Sequence, residues 1–225
     1  MKRSIALWVG LVLATVMVPS VARAANDVDS LGAAIRIEHY QTDLNIGSGT
    51  YTAQVNEVGL AMRQYFGRDF SLGMEVGYAD LSYDNNPAAS GFSPSGAYGR
   101  LFARYQWRVV SHFALDFMAT GAYHRLSNSN SSGTLVDRWW SYSAAAGPRF
   151  SIRWLSVGAG LVYRHASGNE QSPSNGTQSF DFSRTTNPYL DLDFTVAEDG
   201  TFGLHLEGGA RQSASLVFGY RFVSP

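Results

Sequence analysis

The sequence predicts an all-β protein: a transmembrane antiparallel up-and-down β-barrel of about ten strands behind a cleaved signal peptide. Three observations predict it. First, from near residue 31 onward, apolar or aromatic residues alternate with small or charged ones at a period of two. The run Phe70, Leu72, Met74, Val76, Tyr78 against Ser71, Gly73, Glu75, Gly77, Ala79 is the clearest case. Second, that alternation follows an export signal and recurs in segment after segment. Third, the polar face carries ionisable side chains at its centre, as expected of strands with lipid outside and a wet interior.

The export signal occupies residues 1–24. Lys2 and Arg3 form its positive end, Ile5 to Val18 its apolar core, and Ala22-Arg23-Ala24 a small-x-small cleavage site. One barrel domain over residues 25–225 is expected after cleavage. No later stretch is long and apolar enough for a spanning helix. Cysteine is absent, which excludes disulfides and thiolate metal sites. Removing Lys2, Arg3 and Arg23 takes the 17 bases to 14 arginines against 18 acids, a net of −4. Without a basic run or stripe, nucleic acid is not an expected partner.

Ten strands are expected at roughly 31–40, 55–66, 70–82, 97–107, 113–125, 139–152, 155–166, 186–197, 201–208 and 213–222. Eight is the alternative count, if one hairpin is misread. The ninth strand is the shortest, since Gly208-Gly209 ends it early. Short turns fall at Gly67-Arg68-Asp69, Val109 to His112, Arg153-Trp154 and Glu198-Asp199-Gly200. Long polar connections fall at 41–54, 83–96, 126–138 and 167–185, with turn chemistry such as Asn85-Asn86-Pro87 and Ser172-Pro173-Ser174-Asn175-Gly176. Long outer loops and short periplasmic turns are the pattern of small outer-membrane barrels. A three-residue Glu198-Asp199-Gly200 turn would set Asp193 opposite His205 and Asp191 opposite Glu207.

The lipid-facing set includes Ile35, Ile37, Val58, Leu60, Met62, Leu101, Phe117, Leu161, Leu190, Leu206, Leu216 and Phe218. A charge among them would cost about 2–4 kcal/mol at mid-bilayer. Aromatics gather near the short turns (Phe66, Phe70, Tyr105, Trp107, Phe113, Phe150, Phe202, Tyr220, Phe222). A second set lies toward the long connections (Tyr40, Tyr78, Tyr123, Tyr142, Tyr163). Two headgroup belts are expected from these. The inward set predicts a lumen charge network of Glu57, Arg63, Glu75, Arg100, Arg104, Asp116, Arg149, Arg164, Asp191, Asp193, His205, Glu207 and Arg221. Arg36, Glu38 and His124 lie beside it. Near-equal signs point to paired charges that fill the barrel, since the arginine fork binds a carboxylate at two points. Charge pairing accounts for the Asp191, Asp193, His205 and Glu207 group better than a metal would, and no metal or cofactor is expected.

The mature chain resembles the small bacterial outer-membrane barrels: the barrel domain of outer membrane protein A, the opacity-type proteins and porin-like barrels. Phe70-Ser-Leu-Gly-Met-Glu-Val-Gly-Tyr78 and the end of the chain, Ser215-Leu-Val-Phe-Gly-Tyr-Arg-Phe222, carry the resemblance. It implies a Gram-negative outer-membrane address and a monomer. It further implies contact with outer-membrane lipid and lipopolysaccharide, and recognition by the barrel-assembly machinery through Tyr220 and Phe222. His165-Ala-Ser167-Gly-Asn169 is similar to the His-x-Ser-Asn signature of outer-membrane lipid A deacylases. That similarity makes Ser167 the candidate nucleophile and His165 its base, with Glu170 as a substitute for the family's orienting Glu. The ten-stranded omptin proteases also carry acidic pairs and an Asp–His dyad, but at the outer rim, whereas the pairing expected here puts Asp191, Asp193 and His205 toward the periplasm.

Three functions follow in order. The first is a structural or surface-interaction barrel with a charge-paired lumen and long outer loops. The second is a narrow porin-like channel constricted by Arg100, Arg104, Asp191 and Asp193. The third is a lipid A deacylase-like hydrolase.

Overall fold

A computed structural model describes residues 30–84, 86, 89–197 and 199–223. The expected export segment, 1–24, lies outside them. Ten strands follow in chain order: β1 (Ser30–Ile46), β2 (Gly49–Phe66), β3 (Phe70–Asp84), β4 (Ser95–Val110), β5 (Phe113–Asn130), β6 (Gly133–Ser151), β7 (Leu155–Ser172), β8 (Gly176–Thr195), β9 (Gly200–Glu207) and β10 (Gln212–Val223). Each pairs antiparallel with its neighbour in sequence, and β1 closes on β10. Closure pairs both edges of each strand around the ten-strand ring, which a sheet in hydrocarbon requires.

The strands run well past their expected ends. β1 and β2 stay paired to Ile46–Gly49, β5 and β6 to Asn130–Gly133, and β7 and β8 to Ser172–Gly176. The long loops expected at 41–54, 126–138 and 167–185 are therefore the arms of tight hairpins. Gly47 (φ 57°) and Gly176 (φ 68°) take the left-handed conformation that two of these turns need. Only the β3–β4 connection keeps a loop, with Asn86 and Ala89 to Pro94 among its described residues.

The cause is an inversion of the alternation. Along β1, Ile35 and Ile37 stand exposed on the outside, as lipid-facing residues should. From His39 on, the outward positions are polar (His39, Gln41, Asp43, Asn45), while Tyr40, Leu44 and Ile46 turn inward and are buried. The switch recurs with Ala53 and Val55 in β2, Ala79 and Leu81 in β3, Leu135 and Trp139 in β6, and Phe180 and Phe182 in β8. Each long strand thus belongs to a membrane barrel at one end and to a water-soluble barrel at the other. Tyr40 accordingly lies inside and not in the outer aromatic belt expected from the sequence.

The number of strands also changes with height. β9 and β10 form a short hairpin that ends at Glu207 and Gln212. Beyond its tip β1 pairs β8 directly, through Leu44–Phe182, Asn45–Asp181 and Ile46–Phe180. Ten strands make the ring at the short-turn end, and eight make the collar at the hairpin end. β8 takes part in both by means of a bulge. Arg164 pairs Thr185 while Ala166 pairs Phe182, so β8 holds one extra residue at Ser183-Arg184. Its inward positions change there from Phe180 and Phe182 to Thr185, Asn187 and Tyr189.

The β8–β9 register differs from the expected one by two residues. Thr195 pairs Thr201, which sets Asp191 against His205 and Tyr189 against Glu207. The turn is longer than three residues because Val196 donates its N–H to the Gly200 carbonyl (3.0 Å).

Candidate functional site: a layered lumen

The middle of the barrel is a charge layer. Glu38 and Glu57 face each other across β1 and β2, a like-charge pair that would repel if left alone. Arg100 from β4 resolves it. Its guanidinium donates to Glu57 Oε2 (2.5 Å), Glu75 Oε1 (3.0 Å) and Glu38 Oε2 (3.4 Å). Arg36 pairs with Glu38 from within β1. Arg211, at the tip of the β9–β10 hairpin, donates to Glu38 Oε1 (3.1 Å) and lies over the Tyr40 ring (3.5 Å to the centroid). His124 meets Glu57 Oε1 at 2.9 Å, and the Tyr98 hydroxyl donates to Glu75. Beside this group Arg164 donates to Glu207 Oε2 (2.7 Å), and the Asn187 amide satisfies the other oxygen (2.8 Å). A Cβ at Gly59 would fall 2.7 Å from Glu75 Oε1, so glycine makes room for the layer.

A second charge layer lies nearer the short turns. Arg104 grips both oxygens of Asp116 (2.8 and 2.5 Å). Arg149 reaches Asp116 (2.9 Å), Asp191 (2.9 Å) and Asp193 (2.6 Å). It does so across Gly158, where a Cβ would fall 2.9 Å from Arg149 Nη2. His205 Nδ1 pairs with Asp191. Removing one partner from a buried group of this kind costs about 3–5 kcal/mol, because a charge is left unpaired.

Ten of the thirteen residues expected in the charge network therefore form ion pairs, and His205 joins them by its contact with Asp191. Arg63 and Arg221 do not, among the described residues. Arg63 lies over the Phe102 ring (4.9 Å), and Arg221 lies over Tyr65 (4.4 Å) and donates to Ser30. Both stand at the short-turn end, where water reaches them. A cavity of about 540 Å3 opens there, lined by Gly32, Arg63, Phe102, Arg104, Asp193 and Arg221 among others. Arg211 was missed from the sequence because it reads as a residue of a short loop.

An apolar layer closes the collar above the charges. The Trp139 indole, 1 % exposed, stacks on His124 (4.3 Å between centroids) and contacts Phe182 (5.8 Å) and Phe180 (6.3 Å). Tyr98 stacks on the far side of His124 (5.3 Å), so one aromatic column joins the two layers. Leu44, Val55, Leu81 and Leu126 complete the packing. Between the layers lies a cavity of about 40 Å3, bordered by Tyr40, His124, Trp139, Arg164 and Arg211. That is room for a few waters.

The outside is apolar around the ten-strand ring. Leu60, Val76, Leu101, Leu161 and Phe218 are exposed there. Phe70 to Tyr78 is nine residues, the length of a tilted membrane-crossing strand. Exposed aromatics mark both edges, with Phe66, Trp107, Phe150, Tyr220 and Phe222 at the short turns and Tyr78, Trp140 and Tyr142 toward the collar. Tyr220 and Phe222 are in edge contact (5.1 Å) on the outer face of β10.

His165 and Ser167 lie at the collar edge of this belt. The His165 ring stands edge-on to exposed Tyr142 (5.2 Å), and Ser167 is exposed. Among the described residues no hydrogen bond joins them, and His165 Nδ1 is buried without a partner. Glu170 cannot orient His165. It points inward, is 1 % exposed, and accepts from the Asn86 amide (3.3 Å).

The chain is similar in structure to the translocator domain of the autotransporter NalP from Neisseria meningitidis. The TM-score is 0.52 at 13 % identity, over 97 % of this chain and 98 % of that one. The transport unit of the autotransporter AIDA-I from Escherichia coli is matched at TM-score 0.52 and 12 % identity, over 87 % and 90 %. No family model matches the chain, and no curated protein matches it in sequence. The shared fold is that of outer-membrane β-barrels. That fold and the apolar belt together place the protein in the bacterial outer membrane.

Proposed function

We propose that the protein is a non-conducting outer-membrane barrel with a surface-interaction role, its collar and hairpin tips projecting from the cell and its short turns in the periplasm. One observation carries this reading: two different seals lie in series across the lumen. The ion-paired layer around Arg100, its carboxylates buried, closes the top of the cavity that rises from the short turns, and the aromatic layer around Trp139 closes the collar above it. A hydrated ion would have to break both. The similar autotransporter chains are translocator and transport units, but a filled lumen argues against passage of a polypeptide here. The outward turn of polar residues in the collar suits contact with lipopolysaccharide, and the exposed Tyr220 and Phe222 suit reading by the assembly machinery. Planar-bilayer recording of the purified protein tests the reading. The expected result is no stable conductance. Large, stable, weakly selective steps, or selectivity that changes in Arg104 or Asp193 variants, would overturn it.

The vestibule of about 540 Å3 favours the narrow channel as a second reading, because half of a path already exists. The hydrolase reading rests on the local resemblance at Ser167 and His165, and the inward-facing Glu170 weakens it.

A further inference from the structure

Two cations meet on the outer face of β5 and β6, just beyond the aromatic girdle. Arg125 and Arg138 are direct cross-strand partners and both are exposed. Neither meets a carboxylate among the described residues. Side chains so placed have Cβ atoms about 4.5–5.5 Å apart, where like charges repel. Inside the barrel the like pair Glu38–Glu57 is relieved by arginines; outside, none of the described residues gives Arg125 and Arg138 such relief. Across the barrel, on β1 to β3, the positions near the edge of the belt satisfy one another. His39 Nδ1 meets Asn56 Oδ1 (2.7 Å), and the Asn56 amide donates to Asp80 (2.8 Å). The cationic face is therefore one-sided.

Its height is set by its neighbours. The next outward positions toward the membrane are Tyr123 and Trp140, also cross-strand partners, with ring centroids 4.7 Å apart. Paired aromatics of this kind mark the headgroup level. Arg125 and Arg138 stand one step beyond it. Asn169 lies beside Arg138 on β7, and the nearest outward charge on β8, exposed Asp181, is a register step lower, opposite Ser167.

We propose that Arg125 and Arg138 clamp the phosphate of a phosphorylated glycolipid of the outer leaflet. Two guanidinium forks share one anion, so the bound phosphate turns their repulsion into attraction. Asn169 supplies a further donor, and Tyr123 and Trp140 support the lipid below the phosphate. The inference rests on the collar facing outward, since glycolipid of this kind lines only that leaflet.

Native mass spectrometry of the full chain in detergent tests it, with bis-phosphorylated lipid A as the probe. Dephosphorylated lipid A and phosphatidylglycerol serve as comparisons. The wild type should retain the phosphorylated lipid A about tenfold better than either, a factor in keeping with lost charge-assisted hydrogen bonds. R125Q/R138Q should abolish the preference, and R108Q, at the opposite rim, should keep it. Equal retention by wild type and R125Q/R138Q would overturn the clamp, and so would equal retention of phosphatidylglycerol. If the double variant does not refold, R138Q in the same assay decides. Labelling of a Ser131→Cys hairpin tip on intact cells reads the orientation separately, so a failed clamp and a failed orientation are told apart.

Discussion

Asp137 has no exposed surface and neither of its oxygens has a hydrogen-bond partner among the described residues. It faces Glu170 across β6 and β7 inside the collar, and the Tyr83 hydroxyl approaches without reaching hydrogen-bond geometry. Burial pushes its carboxyl up to about 7, and the Glu170 charge adds to the rise. Glu170 is raised by burial as well. A raised carboxyl binds its proton more tightly in the folded state than in the unfolded one. Stability from this group is therefore full at acid pH and falls as pH climbs from about 4 to about 7. Asp137→Asn removes the loss. The variant should gain up to about 4 kcal/mol over the wild type at pH 8 and little at pH 4, read by urea unfolding at the two pH values. The sequence hid this residue, because 126–138 reads as a polar loop. By contrast Arg100, Arg104, Asp116 and Arg149 were legible as inward charges from parity alone.

At the scale of the element, the central feature is a strand that changes environment along its length. Period-two alternation gave the membrane half of every strand to within a few residues. It gave the collar half poorly, since a search for lipid-out patterning stops where polar residues move outside. The signal was present nonetheless. Tyr40-x-Thr42-x-Leu44-x-Ile46 and Leu135-x-Asp137-x-Trp139 keep the period and reverse the face. The β8 bulge was not legible, because one added residue leaves no compositional mark. Collar packing should then be separable from the membrane ring. Trp139→Ala should cost about 3–5 kcal/mol through lost burial and a cavity beside His124. Hydrogen exchange should rise in residues 40–55 and 126–140 of that variant and stay unchanged in Phe70–Tyr78. Uniform exchange along both halves would mean that collar and ring unfold as one.

At the scale of the molecule, a ten-strand ring carries an eight-strand collar, and the short β9–β10 hairpin makes the difference. The ten strands expected from the sequence are all present, so the count of eight in the collar comes from the short hairpin and not from a misread one. This geometry places the tip residue Arg211 over Tyr40 and against Glu38, where the wall passes from ten strands to eight. A vestibule open to the short-turn side and a collar filled by side chains make the lumen a one-ended space. The absence of cysteine allows a direct test, because any introduced thiol is the only one in the chain. Ala145→Cys, on the vestibule wall, should stay unlabelled by a bulky, charged thiol reagent applied outside intact cells. It should be labelled once the periplasm is opened. Rapid labelling from outside would show a through path and contradict the sealed lumen.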